Sequence, residues 1–189
     1  MRTFFICGTP RSRTAWLANL LTTDNTYCFH ELLAEYSDMA NIERCFIETG
    51  KQIVGNSDSG NTLLIDKLKA KFPTSKIVVI KRDKAEVVKS LVDSKYVNAD
   101  NVNIDYSVGL FMNGIKHIES NFDCISFNYE DLLKVDCCKE IYEYCTGLSF
   151  DYKRWELLAN LNIQVEKEFA LKRIKDLVDN KRILEFIKN

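Results

Sequence analysis

Two short apolar runs, each followed by a polar loop and an amphipathic helical pattern, constrain the fold of this chain more than any other feature. Phe4–Cys7 ends at Gly8 and precedes a helical pattern over Thr14–Leu21, and Ile77–Ile80 precedes another over Ala85–Lys95. Runs of apolar residues without polar alternation are typical of strands that are buried on both faces. Such strands form parallel sheets whose helical connections cover both faces. The sequence therefore predicts an α/β fold.

Weaker patterns complete the expected fold. Helices are predicted over Asn61–Phe72 and Tyr106–Ser120, and strands at Ile53–Val54 and Cys124–Phe127. Together they give a parallel sheet of about four to five strands flanked by helices, followed by a helical C-terminal third. In such sheets ligands bind beyond the carboxyl ends of the strands.

The size of the chain fits one domain of this kind. Its 189 residues are sufficient for one α/β core, and two prolines and seven glycines leave little sequence for linkers. We expect a single domain over residues 1–189, with a helical C-terminal region at 133–189.

Charge and cysteine content limit the partners and the compartment. The net charge of −1 gives no overall attraction to nucleic acid or to an anionic membrane, so any anion site must be local. The seven cysteines are odd in number and include no CxxC pair, which argues against a disulfide framework or a zinc site. No run approaches the ~20 apolar residues that span a bilayer. A soluble, cytoplasmic protein is expected.

The loop Gly8-Thr9-Pro10-Arg11-Ser12-Arg13-Thr14 is the first candidate site, because a strand–loop–helix junction can direct backbone N–H groups and a helix dipole at an anion. The nucleotide P-loop pattern GxxxxGK[ST] fails here, since Arg13 occupies its second glycine position and Thr14 its lysine position. Basic Lys81 and Arg82 also follow the Ile77–Ile80 strand, where an acidic residue would indicate magnesium. An anion, rather than a metal, is expected there. Alternatively, the loop is an ordinary turn with exposed arginines.

The stretch from Gly8 to Leu17 resembles the 5′-phosphosulfate loop of sulfotransferases, whose pattern is close to G-x-P-[RK]-S-G-T-[TS]-x-L. The resemblance implies that the co-substrate is 3′-phosphoadenosine-5′-phosphosulfate and that Arg11 stabilises the bridging oxygen as it leaves. It implies a cofactor-binding loop made of Pro10, Arg11, Ser12, Arg13, Thr14 and Ala15. Arg13 departs from the pattern by replacing a glycine. It either carries a conformational cost, if the position needs positive φ, or adds a cation for the ligand.

A second motif resembles another sulfotransferase pattern, in which a buried strand ends in Arg-Asp and a serine follows on the next helix. Arg82 and Ser90 match it, while Lys84 stands where the family usually has proline. The resemblance implies that Arg82 and Ser90 bind the 3′-phosphate of the nucleotide. Arginine presents a planar fork of donors that matches phosphate oxygens. Taken singly, both residues could instead be ordinary surface side chains.

A third match, Phe127-Asn128-Tyr129-Glu130-Asp131-Leu132, resembles a strand end that recurs in the family. We interpret it as support for the fold rather than as a site. Asp131 is expected to cap a helix, and Leu132 is expected to pack in the core.

Sulfuryl transfer needs a base within hydrogen-bond reach of the acceptor. His30 and Glu31 are the candidates, because they follow an apolar run that is either a short strand or a loop. Alternatively, His30 packs at the end of the sheet and Glu31 begins a helix. Asp58 is a reserve base within Asn56–Gly60, a segment that either lines an acceptor pocket or forms a turn that caps the next helix.

The resemblance spans roughly residues 3–132 and omits the glycine-rich segment that closes over the nucleotide in many sulfotransferases. It implies a P-loop NTPase-like fold and sulfuryl transfer to a hydroxyl or amine acceptor, with adenosine-3′,5′-bisphosphate as product and no metal. Two alternatives stay open. One is a P-loop nucleotide kinase or NTPase, and the other is a nucleotide-binding protein that has lost turnover.

Overall fold

The computed structural model of the chain describes residues 1–36, 38–94 and 103–160. Within them, strands are formed by Arg2–Gly8 (β1), Thr26–His30 (β2), Ile53–Ser57 (β3), Lys76–Lys81 (β4) and Ile125–Asn128 (β5). The α-helices of the same residues are Thr14–Leu20 (α1), Leu32–Glu35 (α2), Met39–Glu48 (α3), Gly60–Lys71 (α4), Lys84–Asp93 (α5), Ile104–Asn121 (α6), Val135–Thr146 (α7) and Tyr152–Ala159 (α8). A 3₁₀ turn at Tyr129–Asp131 follows β5.

The described strands form one parallel sheet in the order β2-β3-β1-β4-β5. This confirms the predicted α/β class and the expected number of strands. The segment around Tyr27, predicted as a strand or a loop, is the edge strand β2. The helical C-terminal region is confirmed as far as α8, and its remainder, 161–189, lies outside the described residues. No helix in the described ranges has the length and apolar character that crossing a membrane requires.

The central strand β1 is buried on both faces, as its uninterrupted apolar sequence predicts. Phe4 and Ile6 belong to the core beneath α1, α7 and α8, whereas Phe5 and Cys7 belong to the core beneath α3, α4 and α6. Neighbouring β3 makes room at Gly55, where a Cβ atom would lie 2.2 Å from the Phe4 ring. Close packing on both faces fixes the register of the sheet and the height at which β1 and β4 end.

The chain leaves β1 and β4 toward opposite faces of the sheet. Helix α1, which follows β1, packs in the core that contains Phe4 and Ile6. Helix α6, between β4 and β5, packs in the core on the other face, which contains Phe5 and Cys7. Adjacent parallel strands whose connections diverge in this way form a crevice at their carboxyl ends, where ligands of open α/β sheets bind. The first and second motifs both lie at this crevice.

The cysteines act as core residues. All seven lie in the described part of the chain, and none forms a disulfide there. Burial raises the pKa of the Cys7, Cys28 and Cys145 thiols well above the usual range. These neutral thiols behave as small apolar side chains.

Candidate functional site

The loop between β1 and α1 is held from below by hydroxyl groups. Thr62 on α4 bonds Gly8 twice through Oγ1, accepting from its N–H at 2.8 Å and donating to its carbonyl at 2.9 Å. Within the loop, the Thr9 and Ser12 hydroxyls lie 2.7 Å apart, and both residues are fully buried. The Ser12 hydroxyl therefore stabilises the loop itself.

Two arginines of the loop have left-handed backbone conformations. Arg11 has a φ of 66°, and Arg13 has a φ of 59° and a ψ of 26°. Arg13 is the N-cap residue of α1 and makes no side-chain capping hydrogen bond. For a residue with a Cβ atom this conformation costs roughly 1 kcal/mol. The position that holds a glycine in the family pattern therefore does have a positive φ here, and Arg13 carries the conformational cost expected for that case.

The second motif is fixed to the first by direct hydrogen bonds. Arg82 donates from Nη1 to the main-chain oxygen of Arg11 at 2.6 Å, and Arg11 donates from Nε to the Ser90 hydroxyl at 3.3 Å. Asp83 accepts from the Glu86 N–H at 3.1 Å and so caps α5, the helix that carries Ser90. The structure thus brings together Arg11, Arg82 and Ser90, which the sequence placed in two separate motifs.

These residues surround a cavity of about 540 Å³ beside the crevice. Basic, hydroxyl-bearing and acidic side chains line it. The basic ones are Arg11, Arg82 and Lys89, the hydroxyl-bearing ones are Ser90 and Ser94, and the acidic ones are Glu86 and Asp93. Only 12% of the Arg82 side chain is exposed, and its Nε has no hydrogen-bond partner among the described residues, since the nearest Glu86 oxygen is 3.7 Å away. Arg82 thus forms an ion pair with Glu86, and its Nε is buried rather than open to the cavity.

Tyr129, at the carboxyl end of β5, contacts two of these arginines. The guanidinium carbons of Arg13 and Arg82 lie 4.2 and 4.0 Å from the centroid of its ring. Arg13 also donates from Nη1 to the Tyr129 main-chain oxygen at 3.0 Å. The family resemblance of this segment indicated only the fold, so Tyr129 was not predicted as a site residue. The available signal was an aromatic residue at the end of a predicted strand.

The same segment corrects one prediction and confirms another. Asp131 does not cap a helix, because its carboxylate accepts from Lys134 Nζ at 2.6 Å, and α7 begins after Lys134 without a side-chain cap. Leu132 is fully buried in the core, as predicted.

A second group of candidate residues lies where β2 and β3 end. His30 Nε2 is 3.2 Å from the Thr14 hydroxyl and 3.9 Å from a Glu31 carboxylate oxygen. Thr14 is also anchored through its main-chain oxygen, which accepts from the Ser57 hydroxyl at 2.8 Å. Glu31 precedes α2 in a left-handed conformation, with a φ of 59°. The structure therefore places His30 against the loop and Glu31 beside His30.

Asp58 has a structural environment. Its carboxylate accepts from the Gly60 N–H at 2.7 Å and from the Leu33 N–H at 3.2 Å. Burial raises the pKa of Asp58, and the nearby Glu31 raises it further, while His30 and the two N–H donors lower it. These contacts favour the turn interpretation of Asn56–Gly60 over a pocket lining.

The predicted site residues thus form two groups joined by the loop. Arg11, Arg82 and Ser90 lie around the cavity, and Thr14, His30 and Glu31 lie together at the ends of neighbouring strands. The remaining loop positions, Pro10 and Ala15, are half-buried.

Comparison with known proteins identifies the fold. No protein-family model and no curated protein matches the sequence. Solved structures do match. A sulfotransferase from Alicyclobacillus acidocaldarius has a TM-score of 0.59 at 14% identity, over 95% of this chain and 96% of that one. A sulfotransferase from Mycobacterium tuberculosis H37Rv has a TM-score of 0.57 at 12% identity, over 93% of this chain and 76% of that one. The sulfotransferase domain of the curacin biosynthetic pathway has a TM-score of 0.51 at 12% identity, over 95% of this chain and 98% of that one. The chain therefore has a sulfotransferase fold, as the motifs implied.

Proposed function

We propose that this chain is a sulfotransferase that moves a sulfuryl group from 3′-phosphoadenosine-5′-phosphosulfate to a hydroxyl or amine acceptor. The observation that carries the proposal is the meeting of Arg82, Ser90 and Arg11 at one cavity. Two sequence motifs that resemble phosphate-binding segments of one family converge in space, on a fold of that same type. Either motif alone would be weak support, and their side chains meeting at one cavity strengthens it.

The proposed roles follow from position and chemistry. Arg82 and Ser90 would bind the 3′-phosphate through a charged fork and a hydroxyl. The loop main chain and the Thr14 hydroxyl would bind the 5′-phosphate, and Arg11 would stabilise its developing charge. The acceptor attacks sulfur in line with the bond to the bridging oxygen. That bond breaks, its electron pair leaves on adenosine-3′,5′-bisphosphate, and the acceptor proton passes to His30 or Glu31.

Calorimetric titration tests nucleotide recognition without knowledge of the acceptor. The ligands are adenosine-3′,5′-bisphosphate, adenosine-5′-monophosphate and ATP with magnesium, and the proteins are wild type, Arg82→Ala and the matched control Arg44→Ala. Arg44 lies on α3, with 62% of its side chain exposed. We expect metal-independent binding of the bisphosphate, reduced about 10- to 100-fold by Arg82→Ala and unchanged by Arg44→Ala. Monophosphate binding should weaken less than bisphosphate binding in Arg82→Ala and should be unchanged in Arg44→Ala.

Other outcomes separate the alternatives. Preference for ATP with magnesium would support a kinase-like or NTPase role, and no nucleotide binding at all would contradict the proposal. Conversion of 3′-phosphoadenosine-5′-phosphosulfate to the bisphosphate is then measured across alcohols, phenols, sugars and amines. Tight binding without conversion of any acceptor would favour a nucleotide-binding protein that lacks turnover.

A further inference from the structure

We propose that Arg13 positions Arg82 for phosphate binding, acting through the ring of Tyr129. This inference rests on the proposed function, since it assigns a role to a residue beside the 3′-phosphate site. It gives Arg13 a third role beside the two explanations that the sequence left open. Arg13 carries the conformational cost of the glycine position, but its side chain supports the binding arginine rather than the phosphosulfate.

The side chain of Arg13 contacts Tyr129 rather than the loop to which Arg13 belongs. Its Nη1 donates to the Tyr129 main-chain oxygen, at 3.0 Å, and its guanidinium carbon lies 4.2 Å from the centroid of the same ring. One side chain therefore holds both the backbone and the ring of Tyr129. A guanidinium over an aromatic face is attracted by the quadrupole of the ring, and the attraction grows when water is excluded. Tyr129 is half-buried.

The same ring supports Arg82. The Arg82 guanidinium carbon lies 4.0 Å from the ring centroid, while Nη1 donates to the Arg11 main-chain oxygen. These two contacts fix the plane of the guanidinium, and its buried Nε lies 3.7 Å from a Glu86 carboxylate oxygen, with which it forms an ion pair. An arginine held in this way loses little rotamer freedom when it binds an anion, so affinity increases through preorganisation.

The backbone at Arg13 is consistent with this role. The left-handed conformation, with a φ of 59°, is costly for an arginine and is one that glycine adopts readily. A glycine at this position could not reach Tyr129. The contacts to Tyr129 offset the backbone cost, and we infer that their benefit is the fixed orientation of Arg82.

The test compares affinities for adenosine-3′,5′-bisphosphate and adenosine-5′-monophosphate in Arg13→Gly, Tyr129→Leu and Tyr129→Phe. The first two variants remove the support and should weaken bisphosphate binding about 3- to 30-fold, and monophosphate binding by clearly less. Tyr129→Phe keeps an aromatic ring and the main-chain acceptor, so it should retain wild-type affinity. Equal losses for both nucleotides, or a loss in Tyr129→Phe as large as in Tyr129→Leu, would overturn the inference.

The Arg82→Ala background shows whether the effect passes through Arg82. Tyr129→Leu should cause no further loss of bisphosphate affinity there, and a further loss of similar size would overturn the proposal. Circular dichroism and urea unfolding establish that each variant is folded, and Arg13→Gly provides the test if Tyr129→Leu does not fold. If wild type binds no bisphosphate, the proposed function fails. The contact itself is then tested by a double-mutant cycle of Arg13→Gly and Tyr129→Leu in urea, where additive effects would exclude it.

Discussion

Arg82 donates a hydrogen bond from its guanidinium Nη1 to the main-chain oxygen of Arg11, across 2.6 Å. The bond joins the end of β4 to the loop after β1. In the other direction, the Arg11 side chain donates a hydrogen bond to Ser90 on α5, the helix that follows Arg82. The two motifs therefore share their contacts, with the backbone of the first held by the cation of the second. Since neighbouring contacts are energetically coupled, substitutions in the two motifs should give non-additive effects.

Substitution of Ser90 by alanine tests the hydrogen bond from Arg11 to Ser90. The variant loses the acceptor for Arg11 Nε and the hydroxyl proposed to bind the 3′-phosphate. We expect bisphosphate affinity to fall about 10-fold, which corresponds to about 1.4 kcal/mol, with monophosphate affinity unaffected. Titration calorimetry measures both affinities.

Ser94→Ala is the matched control for this prediction. Ser94 lines the same cavity, but its hydroxyl donates to the main-chain oxygen of Ser90 at 2.7 Å, with the Leu91 oxygen 3.1 Å away, at the end of α5. It should therefore leave bisphosphate affinity within about 2-fold of wild type, because its hydroxyl is already engaged. A similar loss in both variants would mean that Ser90 has no specific role.

The strands were predictable from sequence because burial on both faces removes polar residues from them. Phe4–Cys7 and Ile77–Ile80 carry that pattern and occupy the sheet centre, as β1 and β4. The edge strand β2 was ambiguous, because its alternating exposure includes Tyr27, which is 38% exposed. Strand order could not be read from local pattern, since it depends on which helices cover which face. The proximity of Arg11 to Ser90 was therefore expected only from the family resemblance.

Contacts between distant side chains were the least predictable part of the site. The pairing of Tyr129 with Arg13 depends on β5 lying beside β4, which no local signal specifies. Asp131 matched a capping residue by type, yet Lys134 Nζ engages its carboxylate instead. His30 was identified by chemistry, but its contact with Thr14 required the fold.

The raised pKa of Asp58 predicts a pH-dependent effect of Asp58→Asn. Burial holds the folded-state pKa above the unfolded value of about 3.9, so the folded protein retains the proton longer as pH rises. The wild-type free energy of unfolding should therefore fall from about pH 4 up to the folded-state pKa. Asparagine does not titrate. Its NH₂ group also faces the N–H of either Gly60 or Leu33, so one of the two hydrogen bonds that Asp58 accepts is lost. The variant should be less stable by about 1–3 kcal/mol near pH 4, a deficit that shrinks as pH rises.

Urea unfolding of both proteins at a series of pH values, at constant ionic strength, measures this difference. A deficit that is constant, or that grows with pH, would show that Asp58 is not destabilised as an anion. The wild-type slope alone is insufficient, because other carboxylates also titrate in this range.

The two candidate bases are separable by substitution. His30 contacts the Thr14 hydroxyl, whereas Glu31 lies behind it, 3.9 Å from the same imidazole nitrogen. If Thr14 binds the 5′-phosphate, His30 lies nearer to the sulfur and the acceptor. We expect His30→Asn to lower kcat about 100- to 10,000-fold with the best acceptor found, and Glu31→Gln to lower it about 10-fold.

Bisphosphate affinity is the control, and it should fall much less than kcat in both variants, because both substitutions leave Arg82 and Ser90 in place. The reverse order of kcat losses would assign the base to Glu31. Small losses in both would indicate that the base lies elsewhere, and Asp58→Asn would then be assayed for turnover.

The backbone cost at Arg13 predicts an unusual order of stability for its glycine and alanine variants. Both substitutions remove the contacts with Tyr129, so the two variants differ only in the backbone at a φ of 59°. Glycine adopts this conformation without a Cβ clash, although it gains more entropy on unfolding. We expect Arg13→Gly to be more stable than Arg13→Ala by about 0.5–1 kcal/mol, as measured by urea unfolding.

Arg44 supplies a control with the opposite sign. It lies within α3, and both of its variants lose the same ion pair with Glu48. Glycine inside a helix is about 1 kcal/mol less favourable than alanine, so Arg44→Ala should be the more stable of that pair. An alanine preference at both positions would show that Arg13 carries no backbone cost. A glycine preference at Arg13 alone would mean that the contacts with Tyr129 are maintained against that cost, as expected if they orient Arg82.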